Sequence, residues 1–540
     1  MNSNTAKKNP TSIPSSSSSS DQSSDSIKMI SARQSNELII GFCGAIGSGV
    51  KSVRLAFESN LKKMDYEIHH IHLSSLMSEI DNDSKNTFAN SYERYIFRQE
   101  QGNRLRQKFN SQIMAEAAIS EITKIKQKVK IKNGNENDES KFTGRHAYFI
   151  DQLKNPQEVE LLRLVYQNNF YLVGVLRNES ERKRNLRDET IIPKDIDDLI
   201  HRDRKSGGGT GQQTEKTILD ADFFIRNNHS HVSYLDSKIN RFVNLIHGKN
   251  GVSPSFHEKG MFNAYSASLQ SACLSRQVGA AILDESGSII STGRNDVPKA
   301  GGGLYTYEDA EHDYRCIHKG GKCYNDFHKN KIKDGITAES KKNLSEFMDK
   351  SKFPDFIDER TFDFISQKLL SQPIIDKITN DIFNETAISD LIEYSRAIHA
   401  EMDAITSLAR SGDASTKNKI MFTTTYPCHN CARHIVASGI KEVYYIQPYE
   451  KSLALDLHDD AINDSNTHNE SKLSFIQFDG VSPRRYHKFF FATAERKNAN
   501  GIAVPYATKY SNHVDIQLLD SYQEIEDKVT EAYSKKIGLI

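Results

Sequence analysis

The sequence predicts an α/β protein built from two domains. At 540 residues the chain is too long for one ordinary domain. Short apolar runs alternate with helical patterns over residues 37–250, as in a parallel sheet with crossover helices. After a turn-rich seam at residues 250–254, the alternation resumes and is interrupted by a long polar insertion at about residues 300–392. We therefore expect a tail at residues 1–36, a first domain at 37–250 and a second domain at 251–540.

The N-terminal tail is rich in serine, asparagine and lysine, and residues 15–20 are all serine. Such a segment buries too little apolar surface to offset the entropy lost on ordering. Residues 1–36 are therefore predicted to be disordered.

The first domain opens with an apolar run at residues 38–43, a glycine-rich turn and a helical pattern through Leu61. Strand, glycine-rich turn and helix form the context of a phosphate-binding loop. The candidate nucleotide-binding residues are Gly44, Gly47, Ser48, Gly49, Lys51 and Ser52.

This loop departs from the usual P-loop pattern, in which lysine follows the last glycine directly. Here Val50 stands between Gly49 and Lys51. One extra helical residue rotates a side chain by about 100° around the axis. We therefore expect a P-loop parallel-sheet fold with a regulatory or vestigial nucleotide site rather than a kinase site.

The remaining elements of the first domain alternate in the same way. The predictions are a strand at 147–151 ending in a carboxylate, a helix at 158–166, a strand at 170–176, an arginine-rich stretch at 177–187 and a strand at 221–225.

The second domain begins with a helix and a β-hairpin and continues with alternating helices and strands. The predictions are a helix at 260–274, strands at 278–283 and 288–292, a helix at 394–409, a strand at 420–425, a helix at 427–438 and a strand at 443–446.

Two short motifs in this domain carry the chemistry. The first is His399-Ala400-Glu401, and the second is Pro-Cys-His-Asn-Cys at residues 427–431. One imidazole (His399) and two thiolates (Cys428 and Cys431) suit tetrahedral zinc, with the fourth position open to water. The two cysteines are three residues apart on a predicted helix, so their sulfur atoms lie on one face. The pattern H-x-E followed by P-C-x-x-C is typical of zinc-dependent nucleobase deaminases.

The spacing also predicts a division of labour in the reaction. Zinc would activate a water molecule, and Glu401 would carry its proton to the ring nitrogen N3 of cytosine and then to the leaving amine. A lone C-x-x-C motif is often a structural zinc knuckle instead. Its occurrence after H-x-E, with a strand leading into it, favours catalysis.

Four segments of the second domain resemble the deoxycytidylate deaminase family. They are Ser-Arg-Gln-Val-Gly-Ala at 275–280, Thr-Gly-Arg-Asn-Asp-Val-Pro at 292–298, Arg-Ala-Ile-His-Ala-Glu-Met-Asp-Ala-Ile at 396–405 and Thr-Thr-Tyr-Pro-Cys at 424–428. The resemblance covers roughly residues 255–450. It implies a cytidine deaminase-like three-layer α/β/α fold, a zinc cofactor and free cytosine deoxynucleotides as substrates.

The resemblance also implies roles for three further residues. Asn295 would contact the sugar or the base, Arg276 would bind phosphate, and the Ala400 amide would face the base. The alternatives are that Asn295 is a turn residue and that Arg276 is a surface cation.

The pairing of such a domain with an upstream P-loop domain resembles the bacterial antiviral dCTP deaminases. This resemblance implies conversion of dCTP and dCMP to dUTP and dUMP, which depletes the dCTP pool during phage infection. Residues 478–486 also look like that group, and Arg484 and Arg485 would bind triphosphate or form a solvated basic turn. The alternative functions are a housekeeping dCMP deaminase, a nucleotide-regulated sensor and a polynucleotide cytidine deaminase.

A second group of metal-binding residue types lies in the insertion. It consists of Cys316, His318, Cys323 and His328, with His312 nearby. Four such ligands in a short span are typical of a closed structural zinc site. The alternative is a polar loop with two unpaired cysteines.

The composition limits partners and location. Lys+Arg and Asp+Glu are equal at 71 each, which argues against a dedicated polyanion binder. No apolar run could span a membrane, and the first residues lack the apolar core of a secretory signal. Thiolate ligands fit a reducing compartment, so we expect the cytoplasm. The expected partners are free deoxycytidine nucleotides, a regulatory nucleotide or inhibitory RNA and, by resemblance, further copies of the chain in a homo-oligomer.

Overall fold

The computed structural model describes residues 33–81, 87–132, 144–204, 211–228, 232–352, 357–412, 414–449, 452–464, 471–492, 495–504, 513 and 517–539. The predicted tail lies outside the described residues as far as residue 32. Residues 33–36 differ from the prediction, because the Ser35 amide donates to the Gln517 carbonyl and Gln34 bridges to Leu518.

The first sheet has six strands in the order β12-β5-β4-β1-β3-β2. Its strands are β1 (Glu37–Gly44), β2 (Tyr66–His72), β3 (Arg145–Asp151), β4 (Phe170–Leu176), β5 (Phe223–Arg226) and β12 (Gly480–Val481). β1 to β5 pair in parallel, as the sequence predicts, whereas β12 joins β5 antiparallel.

Helices cover both faces of this sheet. They are α1 (Val50–Lys62), α2 (Leu73–Asp81), α3 (Ser91–Lys108), α4 (Ile113–Lys132), α5 (Pro156–Tyr166), α6 (Glu179–Asp188), α7 (Pro193–Arg204), α8 (Thr214–Leu219) and α9 (Val232–Ile246). On one face Phe42 of β1 packs against Phe57 of α1, which in turn contacts Phe242 of α9. On the other face Ile119 of α4 shares a buried cluster with Tyr148 of β3.

The second sheet also has six strands, in the order β10-β11-β9-β8-β6-β7. They are β6 (Gly279–Leu283), β7 (Ile289–Arg294), β8 (Ile420–Thr425), β9 (Glu442–Gln447), β10 (Ile462–Asn463) and β11 (Leu473–Gln477). The β6–β7 hairpin is antiparallel, and β6 also pairs antiparallel with β8. β8, β9, β11 and β10 then continue in parallel.

Two layers of helices enclose the second sheet. The helices of this part of the chain are α10 (Phe256–Ser268), α11 (Tyr324–Phe347), α12 (Glu359–Leu369), α13 (Gln372–Asn384), α14 (Ala400–Ser411), α15 (His429–Ala437), α16 (Ala454–Leu457) and α17 (Tyr486–Phe490). Ala404 of α14 and Ile435 of α15 pack on one face with Ile282. Met261 of α10 packs on the other face with Phe422. The result is the three-layer α/β/α arrangement that the resemblance implies.

Two helix starts differ from the sequence prediction for local reasons, and the polar insertion contains a long helix. α10 begins at Phe256, not at residue 260, because Ser255 and Glu258 form a capping box. α14 begins at Ala400, not at residue 394, because the Ile398 amide donates to the Asp296 carbonyl and keeps this segment extended. The insertion is more regular than predicted, since α11 alone is 24 residues long.

The C-terminal part of the chain returns to the first domain, which corrects the predicted domain at 251–540. Beyond β12, helix α18 (Gln523–Ile537) packs against α4. The buried Lys126 ammonium on α4 lies 3.0 Å from Glu37 and 2.7 Å from Glu526 of α18. Sequence periodicity is local, so it did not reveal this return.

Among the described residues, no helix combines the length and the apolar character needed to cross a membrane.

Candidate active site

The predicted zinc ligands come together at the ends of two helices. His399 Nδ1 lies 3.3 Å from Cys428 Sγ and 3.3 Å from Cys431 Sγ. A tetrahedral zinc ion with ordinary bond lengths separates a nitrogen and a sulfur ligand by about 3.6 Å. The three side chains therefore fit the coordination shell of one zinc ion.

Both helices present their N-terminal ends to this point. His399 is the extended N-cap residue of α14, with φ −78° and ψ 153°. Cys428 is the N-cap residue of α15, and its Sγ accepts a hydrogen bond from the Cys431 amide. His399 and Cys428 thus precede their helices rather than lying within them as predicted. The positive ends of the two helix dipoles favour thiolates here.

Glu401 lies in the first turn of α14 and is only 4% exposed. The Cys431 thiol donates to its Oε2 atom at 3.5 Å. Burial raises the pKa of the Glu401 carboxyl group above its ordinary value. A carboxyl group with a raised pKa beside the ligands is suited to take up and release a proton during the reaction.

The same contacts set the protonation of the ligands. The hydrogen bond with Cys431 is the main cause that lowers the pKa of Cys428 to about 4, so its sulfur is a thiolate at neutral pH. The hydrogen bond with Cys428 raises the pKa of His399. Zinc binding requires thiolate and neutral imidazole, so it releases protons from this group.

A cavity of about 150 Å³ leads down to these residues. Its floor contains His399, Ala400, Glu401 and Cys428, and its walls come from several separate parts of the chain. The other lining residues are Cys273, Leu274, Ser275, Arg276, Val278, Asn295, Cys316, Cys323, Tyr324, Asn325, Ile392, Ser395, Arg396, Ala397, Thr425, Tyr426 and Tyr449.

Asn295 lines this cavity and holds its wall. Its Oδ1 accepts from the Val278 amide at 2.7 Å, and its Nδ2 donates to the Arg276 carbonyl at 2.8 Å. The side chain therefore fixes the segment that carries Arg276. Ala400 is fully buried on the floor, at the first position of α14.

Arg276 is exposed at the rim of the cavity. Its guanidinium carbon lies 5.6 Å from the centre of the Tyr449 ring, which holds the side chain beside the opening. A cation in this position can meet the phosphate of a ligand whose base enters the cavity.

The structure adds a second arginine that the sequence did not single out. Arg396 also lines the cavity, donates from Nη1 to the Tyr314 carbonyl at 3.1 Å and lies over the Tyr324 ring. Tyr314 and Tyr324 belong to the polar insertion. Arg396 lies only three residues before His399, so its place near the zinc ligands could have been predicted from the sequence. The position of the insertion beside the cavity could not be predicted from residue spacing.

The structure does not bring together the residues of the second zinc site predicted in the insertion. Cys316, His318, Cys323 and His328 are all described, yet no three of them bring ligand atoms within 4.8 Å of one another. His318 lies 3.3 Å from Asp313, and the His328 ring packs against Tyr394. Cys316 and Cys323 line the active-site cavity instead.

The glycine-rich turn of the first domain has the backbone of a tight loop between β1 and α1. Gly47 and Gly49 have φ values of 78° and 77°, in the left-handed region. Val50 is buried, whereas Lys51 and Ser52 are exposed. The extra residue thus turns lysine away from the core, as the helical rotation predicts. Gly44 and Ser48 complete this turn.

Side chains from elsewhere in the first domain form hydrogen bonds with the backbone of this loop. The Ile46 amide donates to Asp203 Oδ2 at 2.8 Å, and Lys154 Nζ donates to the Gly44 carbonyl and to Asp203. A cavity of about 470 Å³ beside the loop is lined by Ile46, Gly47 and Lys154. Its cationic lining also includes Arg94, Arg98 and Arg106.

The two arginines after β12 are used in ion pairs within the protein. Arg484 Nη1 lies 3.0 Å from Asp220, and Arg485 pairs with Asp222. These ion pairs join the C-terminal part of the chain to the first domain, and the Arg484 side chain remains largely exposed.

Comparisons with known proteins agree with this site. Residues 254–447 match the family described as the cytidine and deoxycytidylate deaminase zinc-binding region. The deoxycytidylate deaminase of Enterobacteria phage T4 is 29% identical over 189 residues, which cover 35% of this chain and 76% of the phage protein. ComE operon protein 2 of Bacillus subtilis (strain 168) is 41% identical over 56 residues, or 10% of this chain and 29% of that protein.

Among solved structures, the dCMP deaminase from the cyanophage S-TIM5 in complex with dCMP and dUMP is 18% identical, with a TM-score of 0.22. The match covers 42% of this chain and 98% of the cyanophage protein. Residues 254–447 are therefore similar in sequence to the zinc-binding region of cytidine and deoxycytidylate deaminases, including those of phages T4 and T2.

Proposed function

We propose that this chain hydrolytically deaminates free deoxycytidine nucleotides, converting dCTP and dCMP to dUTP and dUMP. One observation carries the proposal. His399, Cys428 and Cys431 converge at the floor of a cavity, and the buried carboxyl group of Glu401 lies beside them.

The residues of the site divide the reaction between them. His399, Cys428 and Cys431 would hold a zinc ion, and such an ion would lower the pKa of a water molecule beside the ring. The Glu401 carboxyl group takes the proton of that water, gives it to N3 and delivers a proton to the departing amine. Water adds at C4, the bond from C4 to the exocyclic nitrogen breaks, and ammonia leaves uracil behind.

The surroundings of the cavity support a mononucleotide substrate. Arg276 and Arg396 place two cations at the opening, where the phosphates of a bound nucleotide would lie. Cys316 and Tyr324 of the insertion narrow the approach, which disfavours a continuous polynucleotide strand. The equal numbers of acidic and basic residues point the same way.

The biological role that we propose is antiviral defence. Conversion of dCTP and dCMP removes a building block that phage DNA synthesis requires. The basis is the resemblance to bacterial antiviral dCTP deaminases together with the upstream glycine-rich loop. A housekeeping dCMP deaminase is the alternative that uses the same site.

We further propose that the first domain binds a regulatory nucleotide rather than transferring phosphate. Arg94, Arg98 and Lys154 line the cavity beside the loop and offer donors for a phosphate group. Arg94 is also paired with Glu189, and Lys154 with Asp203. Asp203 already accepts from the Ile46 amide, and Lys51 points outward, so the loop lacks the arrangement of an active kinase. An inhibitory RNA is the alternative regulator. We also propose a homo-oligomer in the cytoplasm.

A substrate panel tests the proposed reaction. The full-length protein is incubated separately with dCTP, dCMP, cytidine and a single-stranded DNA oligonucleotide, and the released ammonia and the uracil-containing products are measured. We expect deamination of dCTP and dCMP by the wild type and a much slower reaction with the zinc-loaded Glu401→Gln variant. Deamination of the oligonucleotide without deamination of the mononucleotides would refute the proposal.

A second experiment tests the regulatory site. The dCMP deamination rate of the full chain is measured with and without added deoxynucleoside triphosphates, in the wild type and in Lys154→Ala. We expect added nucleotide to change the wild-type rate and to have a weaker effect on the variant. An equal response of the two proteins would contradict a site at Lys154.

A further inference from the structure

A second group of metal-binding side chains lies in the first domain, far along the sequence from the deaminase site. Glu67, His69 and His146 each place a ligand atom within 4.8 Å of the other two. Nothing in the deaminase reaction uses these residues. Two imidazoles and a carboxylate form a ligand set that suits zinc and neighbouring divalent transition ions.

The distances match a common metal ion. His69 Nε2 lies 3.1 Å from His146 Nδ1, and His146 Nδ1 lies 3.7 Å from Glu67 Oε2. Zinc binds histidine nitrogen at about 2.0–2.1 Å, which places two tetrahedral ligand atoms about 3.3 Å apart. The observed separations lie on either side of this value, so small side-chain rotations bring all three atoms onto one ion.

The strand register explains how the three residues meet. β2 and β3 are parallel neighbours, and Glu67 pairs directly with His146. His69 is two residues further along β2, so it points to the same face as Glu67. The three side chains thus lie on one face of two adjacent strands. The sheet fixes the relative position of these strands.

The surroundings favour a bound ion with one open side. His146 is 3% exposed. A Cβ atom added at Gly144 would lie only 3.1 Å from its Nε2 atom, so the ring is closely enclosed on that side. The His69 ring stacks on Tyr148, which fixes its orientation. Glu67 is exposed and faces water. A solvent molecule can therefore complete a fourth coordination position.

The group lies at the amino ends of the strands. The glycine-rich loop and its cationic cavity lie at the opposite, carboxyl ends, where Asp151 ends β3. The ion would therefore serve neither nucleotide phosphates nor deamination. It would join β2, the edge strand of the sheet, to β3.

We propose that Glu67, His69 and His146 form a second, structural binding site for a divalent transition metal ion, with zinc as the expected ion. The ion replaces the hydrogen bond between the two imidazoles and holds the edge strand in place. This site is independent of the deaminase proposal.

Metal content measured on untagged, full-length protein tests the site. The protein is stripped with a chelator, reloaded with Zn²⁺ and freed of excess metal, and the tightly bound ions are counted. We expect two equivalents in the wild type and one each in His69→Gln and His146→Gln. The double variant Cys428→Ser/Cys431→Ser should also keep one, held by the proposed site.

Cobalt reloading distinguishes the two sites in the same samples. Co²⁺ at Cys428 and Cys431 gives a thiolate charge-transfer band, whereas Co²⁺ bound by nitrogen and oxygen ligands gives only weak visible bands. His69→Gln should lose one equivalent of cobalt and keep the full thiolate band. The preserved band also shows that the variant is folded.

His70→Gln is the matched control. His70 lies between Glu67 and His72 on β2 but faces the other side, where it contacts Glu58 and Arg54. It should keep two equivalents of zinc. One equivalent in the wild type, or two equivalents in both His69→Gln and His146→Gln, would overturn the proposal.

Discussion

Replacing Gly293 by alanine tests whether the reaction rate depends on the precise position of α14 against the sheet. Gly293 lies in β7, where α14 crosses the strand. A Cβ atom added there would lie 2.3 Å from the Ala400 carbonyl oxygen and 2.3 Å from the Ala404 amide nitrogen. Both contacts are with helix backbone, so no side-chain rotation relieves them. The helix or the strand must move by roughly 1 Å.

The size of the effect follows from what α14 carries. His399 precedes its first residue and Glu401 lies in its first turn, so a shift of the helix moves a zinc ligand and the proton carrier together. Misplacement of reacting groups by about 1 Å costs roughly 100-fold in rate. Overpacking of a close contact also costs about 1–3 kcal/mol in the free energy of unfolding.

Two measurements on the same preparations decide the outcome. The kcat/KM for dCMP is measured at equal zinc occupancy, and the free energy of unfolding is measured in urea. Gly335→Ala is the control, because Gly335 lies in α11 with open space around the added Cβ. We expect a loss near 100-fold in Gly293→Ala and none in Gly335→Ala. Wild-type kcat/KM in Gly293→Ala would refute the reasoning.

Three further predictions concern single groups. Glu401→Gln should lower kcat by about 10²–10⁴-fold while zinc content stays constant, because the proton carrier is removed and the ligands are kept; a small loss measured in a steady-state assay would contradict this role. Arg276→Ala should raise KM for dCMP by about tenfold with kcat near wild type, and an unchanged KM would argue against phosphate binding at the rim. Burial lowers the pKa of His247 to about 4 from an ordinary value of 6.5, so between these pH values the unfolded chain binds a proton that the folded chain excludes. The free energy of unfolding, measured in urea, should therefore fall by about 3 kcal/mol from this group as the pH drops from 6.5 to 4, and His247→Phe should remove that part of the decrease.

The zinc site was predictable because its residues lie in two short motifs. His399 and Glu401 are two residues apart, and Cys428 and Cys431 are three apart, so local geometry places each pair. The strands that precede the motifs were also predictable from short apolar runs. The prediction of β8 agrees with the structure at both ends.

The start of α14 was not predictable from periodicity. Residues 394–399 continue the apolar spacing of the helix, but the Ile398 amide bonds to the Asp296 carbonyl about a hundred residues earlier in the chain. A tertiary hydrogen bond therefore overrides the local helical pattern. His399 is left in the extended conformation that turns its ring toward the cysteines.

The cysteines and histidines outside the deaminase site also show that spacing along the chain does not determine which side chains meet. The closely spaced cysteines and histidines of the insertion suggested a site, yet their side chains take separate partners. His69 and His146 are 77 residues apart and meet only through strand pairing. Close spacing along the chain is therefore neither sufficient nor necessary for side chains to meet in the fold.

The return of β12 and α18 to the first sheet makes the first domain discontinuous, with the deaminase unit spliced between its two pieces. A fragment ending at residue 250 would expose β5 as a bare edge and leave Lys126 without Glu526. Such a fragment is therefore prone to aggregate, and its inactivity would say nothing about the glycine-rich loop.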